Sequence, residues 1–325
     1  GPESFRLYYL GDNDSLPPLI APTTGLPYDR WYSASTMLGM RWALLPEALH
    51  LPPDARVLLS ASLGQNIYTP RTATIASKDE LQGDRPYSGW LKGAVGLDVL
   101  LPHAPLAFAR GSRAYSHLSL DLNGGTQGPW SFAGWTQFHA HNLPAFVTGQ
   151  PLPTEVGWGT IETRPGLAGD VSLFAETTLA SLDGTPPSWM EWSGAAPSLH
   201  WMAGVSGHAG SMLLAGAAHT SLTAGWMGDP LARSPAFIPT AAYVYLRGEV
   251  RRVGYNATID GPILDGAVVA RHEPWVGEVA MGAVLRVWRL EASMGPVYRT
   301  NEVATLHDNL RVGQLIWQAS ASYVQ

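Results

Sequence analysis

The sequence of 325 residues contains no cysteine and little charge. Without cysteine there can be no disulfide framework and no thiolate metal site. Charged residues make up 14% of the chain, whereas soluble globular proteins have about 25%. A soluble domain with so few charged side chains would expose a large apolar surface to water, but a surface in contact with hydrocarbon needs none. The net charge of −6 argues against a nucleic-acid surface, and we expect no nucleic-acid partner.

Long apolar runs are scarce as well. The longest uncharged stretch, residues 192–228, is interrupted by Pro197 and by three histidines. A transmembrane helix requires about 20 predominantly apolar residues. The most helix-like part of this stretch, S-M-L-L-A-G-A-A-H-T-S-L-T-A-G-W-M, is compatible with a helix of small residues, but no other segment comes close. The sequence therefore does not predict a helical membrane protein.

The sequence does contain long runs in which apolar and polar residues alternate. Examples are A-R-V-L-L-S-A-S-L-G-Q-N (55–66) and W-V-G-E-V-A-M-G-A-V-L-R-V (275–287). They last ten residues or more, which is longer than the usual ~5–6 residues of a soluble strand and suits a tilted membrane strand. Ionisable groups such as Arg247, Glu249 and Arg251 share one side of their run, as expected for a water-filled lumen. The alternation predicts an all-β transmembrane antiparallel β-barrel.

The number of such runs predicts about twelve strands in a single domain, residues 1–325, and an even number is typical of bacterial barrels. The predicted strands are 3–12, 29–45, 55–69, 86–101, 105–121, 166–180, 197–208, 211–226, 239–257, 274–287, 288–303 and 310–324. Short connections at 45–54 and 102–105 would be periplasmic turns. Longer connections, expected to be extracellular, are 13–28, 71–84, 123–165 and 258–273.

The long connection 123–165 is expected to contain a short helix. Ser131 is a suitable N-cap, and Pro144 is expected to end the helix. Phe132, Trp135 and Phe138 fall at helical spacing between them.

Two histidines, His139 and His141, lie close together in this segment. The pattern H-x-H alone is a weak zinc signal, because no third imidazole lies nearby in the sequence. On a helix, Gln137 and His141 share one face while His139 lies on another. From the residues alone, His141 is either a working histidine or an ordinary loop histidine. Asn13 and Asp14, in G-D-N-D-S, are typical turn residues.

Several short blocks together resemble the lipid A 3'-O-deacylase (LpxR-type) family of Gram-negative outer-membrane barrels. The most specific are Q-N-I-Y-T-P (65–70) and G-D-R-P-Y-S-G-W-L (83–91). Others follow in family order: N-D near the N-terminus, D-R-x-Y-[ST] at the second strand, G-P and Q-x-x-x-H in the long connection, and I-E-x-R-x-G after it. The resemblance covers essentially the whole chain.

The resemblance implies a twelve-stranded barrel in the outer membrane, with a site near the outer rim between the wall and a loop helix, towards the outer leaflet. It implies calcium-dependent hydrolysis of the ester-linked 3' acyloxyacyl group of lipid A, the lipid of lipopolysaccharide. By residue-to-residue match, Asn13 and Asp14 are catalytic and calcium-binding, Ser33 is the site hydroxyl, His141 is the catalytic histidine and Gln137 supports it. We expect a monomer.

Two schemes are compatible with these residues. In the first, which we favour, His141 removes a proton from water, and calcium held by hard oxygen ligands assists. In the second, His141 activates Ser33 as the nucleophile. The family also has a site lysine; at equal loop length its position falls on Ile75, with Arg71 and Lys78 as the nearby cations.

Two other functions compete with lipid A deacylation. An outer-membrane phospholipase would use similar ester chemistry on glycerophospholipids. A non-catalytic barrel or pore could keep the family shape without the activity. We favour the deacylase because Asn13, Asp14, Ser33, Gln137 and His141 are retained together.

Overall fold

A computed structural model gives the structure of the chain. It describes residues 5–13, 34–70, 75, 77–81, 83–102, 113–148, 157–185, 188, 195–228, 241–261, 270–304 and 313–324.

Twelve antiparallel strands form a closed barrel in which each strand pairs with its neighbours in sequence and β1 pairs with β12. This confirms the predicted fold class and strand number. The strands are β1 Phe5–Asn13, β2 Ala34–Leu44, β3 Arg56–Tyr68, β4 Ser88–Leu101, β5 Ser116–Gln127, β6 Gly166–Asp183, β7 Ala196–Gly210, β8 Leu213–Met227, β9 Ala241–Asn256, β10 Trp275–Val287, β11 Leu290–Arg299 and β12 Gln314–Val324.

The helices are short apart from one. They are α1 Lys78–Leu81, α2 Ala133–Thr148 and α3 Ala257–Asp260, with 3-10 turns at Pro46–Leu49 and Gly128–Ser131. Among the described residues, no helix has both the length and the hydrophobicity needed to cross a membrane. The most helix-like part of the sequence forms strand β8 instead.

The strands separate apolar from polar side chains by their alternation. Leu63, Val95 and Val205 are among the large apolar side chains exposed on the outside of the wall, the surface that meets lipid in such barrels. The predicted polar run of β9 faces the lumen and forms ion pairs. Glu249 accepts hydrogen bonds from Arg247 at 2.9 Å and from Arg251 at 2.5 Å.

One predicted strand was displaced. The fifth strand was expected at 105–121 but spans Ser116–Gln127, so the connection before it does not end at 105. The sequence N-G-G was interpreted as the start of a loop, because these residues favour turns. In the structure Gly124 and Gly125 pair within the sheet, and a Cβ on Gly125 would collide with the backbone of Leu91. Gly125 therefore serves close strand packing rather than a turn, whereas a Cβ on Gly124 would have no neighbour within 4 Å.

The alternating strand directions give the barrel two distinct ends. The connections after the odd-numbered strands, β1, β3, β5, β7, β9 and β11, emerge at the end that carries α1, α2 and α3, which we call the loop end. The opposite end, which we call the turn end, includes the two-residue connection between β10 and β11. The candidate site lies at the loop end.

Candidate functional site

The mouth of the lumen at the loop end is occupied by the side chain of Arg85. This guanidinium is fully buried. It donates a hydrogen bond of 2.9 Å to Thr258 Oγ1, lies 4.8 Å from the centroid of the Tyr68 ring, and lies 3.8 Å from Glu302. Burial alone would raise the pKa of Glu302, but Arg299 and Arg85 lower it below its usual value. The block G-D-R-P-Y thus contributes to the closure of the mouth rather than to an open pore.

A small apolar cluster joins the connection after β3 to the end of the connection after β5. The rings of Tyr87 and Trp158 pack at 5.0 Å between centroids, and Ile75, Leu81 and Ile161 complete the cluster. The backbone of Tyr87 also donates to the Ile161 carbonyl at 3.1 Å. The two connections therefore form one packed unit at the rim.

Position 75 matters because the family lysine was matched to it at equal loop length. Ile75 is 5% exposed and belongs to this apolar cluster. The side chain of Lys78, which begins α1, and the whole of Arg71 lie outside the described residues. Ile75 therefore fills an apolar interior.

The long helix α2 starts at a tightly constrained turn. Gly128 has a φ of +64°, and a Cβ there would collide with the carbonyls of Thr163 and Arg164. Ser131 is buried; its hydroxyl donates to the Gly128 carbonyl at 2.6 Å and accepts from the Ala133 N–H at 3.3 Å. Ser131 thus accepts a hydrogen bond from the first N–H of α2, but it is not the N-cap that was predicted, because Phe132, with a φ of +57°, lies between it and the helix.

The predicted end of the helix was wrong. Pro144 was expected to end it, but α2 extends to Thr148. A proline inside a helix removes one backbone N–H and clashes with the preceding turn at a cost of about 3 kcal/mol. That cost is local, and the hydrogen bonds of the other residues keep the helix in place on both sides of it.

The two faces of α2 differ sharply. Gln137 is 4% exposed, whereas Trp135 and Phe138 are 64% and 51% exposed. The aromatic residues at helical spacing thus point away from the wall, as suits a helix at a lipid interface. His139 is exposed, packs against the Trp135 ring at 4.1 Å between centroids with the two rings tilted by 35°, and forms a hydrogen bond of 2.8 Å between Nδ1 and the Trp135 carbonyl.

The inner face of α2 is held to the unit at the rim. Trp158 Nε1 donates a hydrogen bond of 3.0 Å to Gln137 Oε1. His141 is four residues further along α2, so positions 137 and 141 lie on the same face of the helix. The side chain of His141 lies outside the described residues. Gln137 is therefore placed to fix the rotation of the helix that carries His141.

Helix α2 lies on the outside of the barrel wall. Gly89 leaves room for it, since a Cβ on this residue would collide with Ser131 and Ala133. Gln65 Nε2 donates to the Ser131 carbonyl at 2.6 Å. The 3-10 turn before the helix contacts β5 and β4, and α2 itself contacts β4 and β3. The chain therefore crosses the strands in the order β5, β4, β3, towards β2 and β1.

Asn13 lies on the same row of paired residues as the start of α2. The register pairs Asn13 with Ala34, Ala34 with Ile67, and Ile67 with Gly89. The side chain of Asn13 lies outside the described residues, as do Asp14 and Ser33, the neighbours in sequence of the Asn13–Ala34 pair. The structure thus places the backbone of one predicted site residue, Asn13, on the row that α2 begins to cross.

The predicted oxygen ligands for calcium were Asn13 and Asp14. An amide and a carboxylate provide the hard oxygen atoms that calcium prefers, so the chemistry of this donor set fits the ion. Within the described residues, no group of three or more histidine and acidic side chains could hold a metal ion.

Sequence reasoning did not single out Gly89 as a contact point or Trp158 as the partner of Gln137. Gly89 was part of the family block 83–91. The steric contacts that require a glycine there come from Ser131 and Ala133, which lie 42 and 44 positions later in the chain. Trp158 is 21 residues from Gln137, and no local pattern joins them.

The fold and the candidate site define the class of protein, which is a closed twelve-stranded barrel with a loop helix against its outer wall. The model of the family described as "Outer membrane protein LpxR" matches residues 12–320. The chain belongs to this family, and its place is the outer membrane. The resemblance seen in the sequence is confirmed.

Two solved structures match this chain over most of its length. LpxR from Salmonella typhimurium has 18% sequence identity and a TM-score of 0.68, with 98% of this chain and 99% of that chain covered. The transport unit of the autotransporter AIDA-I from Escherichia coli has 8% identity and a TM-score of 0.43, with 100% and 89% covered. Among curated proteins, none has a matching sequence.

Proposed function

We propose that this protein is a lipid A 3'-O-deacylase. It hydrolyses the ester that links the 3' acyloxyacyl group to lipid A, with His141 as the general base, at a site between α2 and the outer wall that faces the outer leaflet. Membership of the LpxR family and the retained site residues support the proposal. Since every proposed site residue comes from one chain, we also propose that the protein acts as a monomer.

The observation that carries the proposal is the course of α2 over the register row. Three strand spacings separate Gly89 from Asn13, about 14 Å along the wall. From Ala133, which abuts Gly89, to His141 is eight residues of helix, about 12 Å at 1.5 Å per residue. A helix that continues in the direction of its contacts would therefore bring position 141 close to position 13.

The proposed chemistry begins with a neutral imidazole. His141 takes a proton from a water molecule, and the resulting hydroxide attacks the ester carbonyl carbon. The tetrahedral intermediate collapses with cleavage of the bond to the sugar oxygen, which receives the proton from His141. The products are the free acyloxyacyl acid and a lipid A with a 3' hydroxyl group.

Two neighbouring groups support this step. Gln137, held by Trp158, is a positioning residue because it fixes the face of α2 that carries His141. Ser33 is proposed to orient the water or donate a hydrogen bond to the oxyanion. Asn13 and Asp14 would hold calcium, whose positive charge would stabilise negative charge on the ester oxygen.

The competing scheme has Ser33 as nucleophile and a covalent acyl-enzyme intermediate. The two schemes differ in a measurable way: only the second transfers an acyl mass to the protein. The burial of Arg85 in the mouth of the lumen counts against the non-catalytic pore.

The test is incubation of the purified protein with lipid A, in calcium or in a chelator, with the products read by mass spectrometry. We expect lipid A to lose the mass of its 3' acyloxyacyl group. This loss should require calcium and should not occur with His141→Ala. His139→Ala is the matched control, because His139 is exposed on another face and should keep activity. Activity retained in His141→Ala would refute the mechanism, and hydrolysed phospholipid beside intact lipid A would identify a phospholipase.

A further inference from the structure

A groove runs along the outside of the wall near the turn end, where β1 and β12 close the barrel. Its floor is formed by Ala321 and Ala292, which pair with each other. Tyr9 pairs with Ala321 on one side, and Leu285 pairs with Ala292 on the other. Leu38 lies beside Tyr9 in the next strand. Two small residues between large ones thus leave a recess in the membrane-facing surface.

The recess has the size and lining of a ligand site. Its volume is about 460 Å³, within the range of about 300–1,000 Å³ for small-molecule pockets. The second register row along it, closer to the turn end, consists of Leu7, Tyr323, Leu290 and Val287. All of these side chains are apolar or aromatic, and they also line the recess. Glu291, which borders it too, is ion-paired with Arg6 and Arg286. A hydrocarbon chain matches this lining.

A cation lies at the turn-end limit of the groove. Arg289, in the connection between β10 and β11, donates a hydrogen bond of 3.0 Å from Nη1 to the hydroxyl of Tyr323, which also lines the groove. Its guanidinium lies 5.2 Å from the centroid of the Trp288 ring, and Trp288 is 65% exposed. In the part of the chain that the structure describes, no carboxylate pairs with Arg289.

We propose that this groove is a binding site for an anionic glycerophospholipid of the leaflet at the turn end. One acyl chain lies on the Ala292–Ala321 floor between Tyr9 and Leu285, and the headgroup phosphate accepts hydrogen bonds from Arg289. The combination of an apolar recess with an unmatched guanidinium at the membrane boundary suits an amphiphile with a phosphate at one end. The site is on the opposite end of the barrel from α2, so it does not depend on the proposed catalysis.

The charge at the groove favours this occupant over a second copy of the chain. A stable interface between copies buries about 1,200–2,000 Å² of well-matched surface, and it would leave the Arg289 guanidinium against apolar wall. A phospholipid, in contrast, satisfies the recess and the cation at once. Lipid A also carries phosphates; its exclusion here rests on the proposed function, which places it in the leaflet at the loop end, and the lipid A probe below tests it separately.

The experiment measures lipid retention by native mass spectrometry on the full chain in detergent, with phosphatidylglycerol, phosphatidylethanolamine and lipid A as separate probes. We expect one tightly held phosphatidylglycerol per chain, bound more tightly than phosphatidylethanolamine. Arg289→Gln should weaken its binding about fivefold, since one cation near a membrane surface contributes on the order of that factor. Ala321→Leu, which fills the floor, should weaken both phospholipids.

Two matched controls are available on the same wall. Arg252 lies 5.1 Å from the centroid of Trp275 at the loop end, so Arg252→Gln removes an equivalent arginine–tryptophan pair away from the groove. Ala61 lies between Leu59 and Leu63 along the exposed side of β3, so Ala61→Leu adds the same volume elsewhere. Both variants should bind phosphatidylglycerol as the unmodified protein does.

Four results would overturn the proposal. The first is equal phosphatidylglycerol binding by Arg289→Gln and the unmodified protein, and the second is an equal loss of binding in the groove variants and their controls. The third is preferential retention of lipid A that is abolished in Ala321→Leu. The fourth is a change of the protein from dimer to monomer in Ala321→Leu. Deacylase activity is measured separately, and we expect it to be unchanged in Arg289→Gln. If the proposed catalysis fails its own test, the lipid-binding measurements can therefore still be interpreted.

Discussion

Gly89→Ala tests whether the seating of α2 on the outer wall controls the site. A Cβ on Gly89 would lie closer than 3.0 Å to both Ser131 Oγ and the Ala133 Cβ. Carbon atoms at ordinary contact are about 3.5–4.0 Å apart, so the start of α2 must move outwards by roughly 1 Å. The strands themselves need not move, because Gly89 faces a loop segment rather than another strand.

The size of the effect follows from that displacement. A catalytic group misplaced by about 1 Å costs roughly 100-fold in rate, and the whole of α2 moves with its first turn. We therefore expect kcat/KM for lipid A deacylation to fall by about 10- to 100-fold. The thermal unfolding of the barrel should change little, since the substitution lies on the outside of the wall.

The assay compares Gly89→Ala with Gly93→Ala, four residues along the same strand. A Cβ on Gly93 would have no heavy atom closer than 3.9 Å among its nearest neighbours, so this variant controls for the loss of glycine in β4. Kinetics with lipid A and a thermal melt are measured for both. Full activity in Gly89→Ala, or an equal loss in Gly93→Ala, would refute the reasoning.

Further predictions concern the unit that holds α2. Trp158→Phe removes the hydrogen-bond donor to Gln137 but keeps an aromatic ring beside Tyr87. We expect local stability to fall by about 1–3 kcal/mol, which is measured as faster hydrogen exchange in α2, and we expect slower deacylation of lipid A. Burial raises the pKa of Glu162 to about 7. The neutral carboxyl of Glu162 therefore stabilises the folded segment around it fully below the ordinary carboxyl pKa, and this stability is lost as the pH rises through about 7. Hydrogen exchange of Ile161 and its neighbours should become faster over that pH range, and Glu162→Gln should abolish the pH dependence. Ile75→Lys places a charge in an apolar interior and should increase proteolysis of the rim without a gain in activity; higher activity would instead support the equal-length match to the family lysine.

The sequence was sufficient for the barrel because lipid-facing and lumen-facing residues alternate along every strand. Predictions from the sequence were wrong where one residue type occurs in two structural roles. Gly124 and Gly125 have turn chemistry but lie within strand β5, where Gly125 permits close packing against the Leu91 backbone. Pro144 is a helix breaker by local propensity, yet α2 continues through it.

The remaining site features depend on contacts between distant parts of the chain. Gly89 is a glycine because Ser131 and Ala133 pack on it, and Gln137 is fixed by Trp158. No periodicity within a strand or helix encodes such pairs. The roles of Asn13, Asp14, Ser33 and His141 still come from the family match, and they stay predictions until the variants are assayed.

The position of α2 outside the wall also explains why a lumen site would suit the proposed reaction poorly. Moving an acyl chain from hydrocarbon into a wet, charged lumen costs about 0.8 kcal/mol for each methylene, or about 8 kcal/mol for ten. The mouth of that lumen is moreover occupied by Arg85 and Glu302. In the proposed reaction, the ester of lipid A would instead meet the face of α2 that carries position 141 at the outer rim, while its chains stay in the membrane. The exposed Trp135 and Phe138 give the helix an apolar side, so that the proposed binding at the rim would require neither transfer of the chains to water nor opening of the barrel.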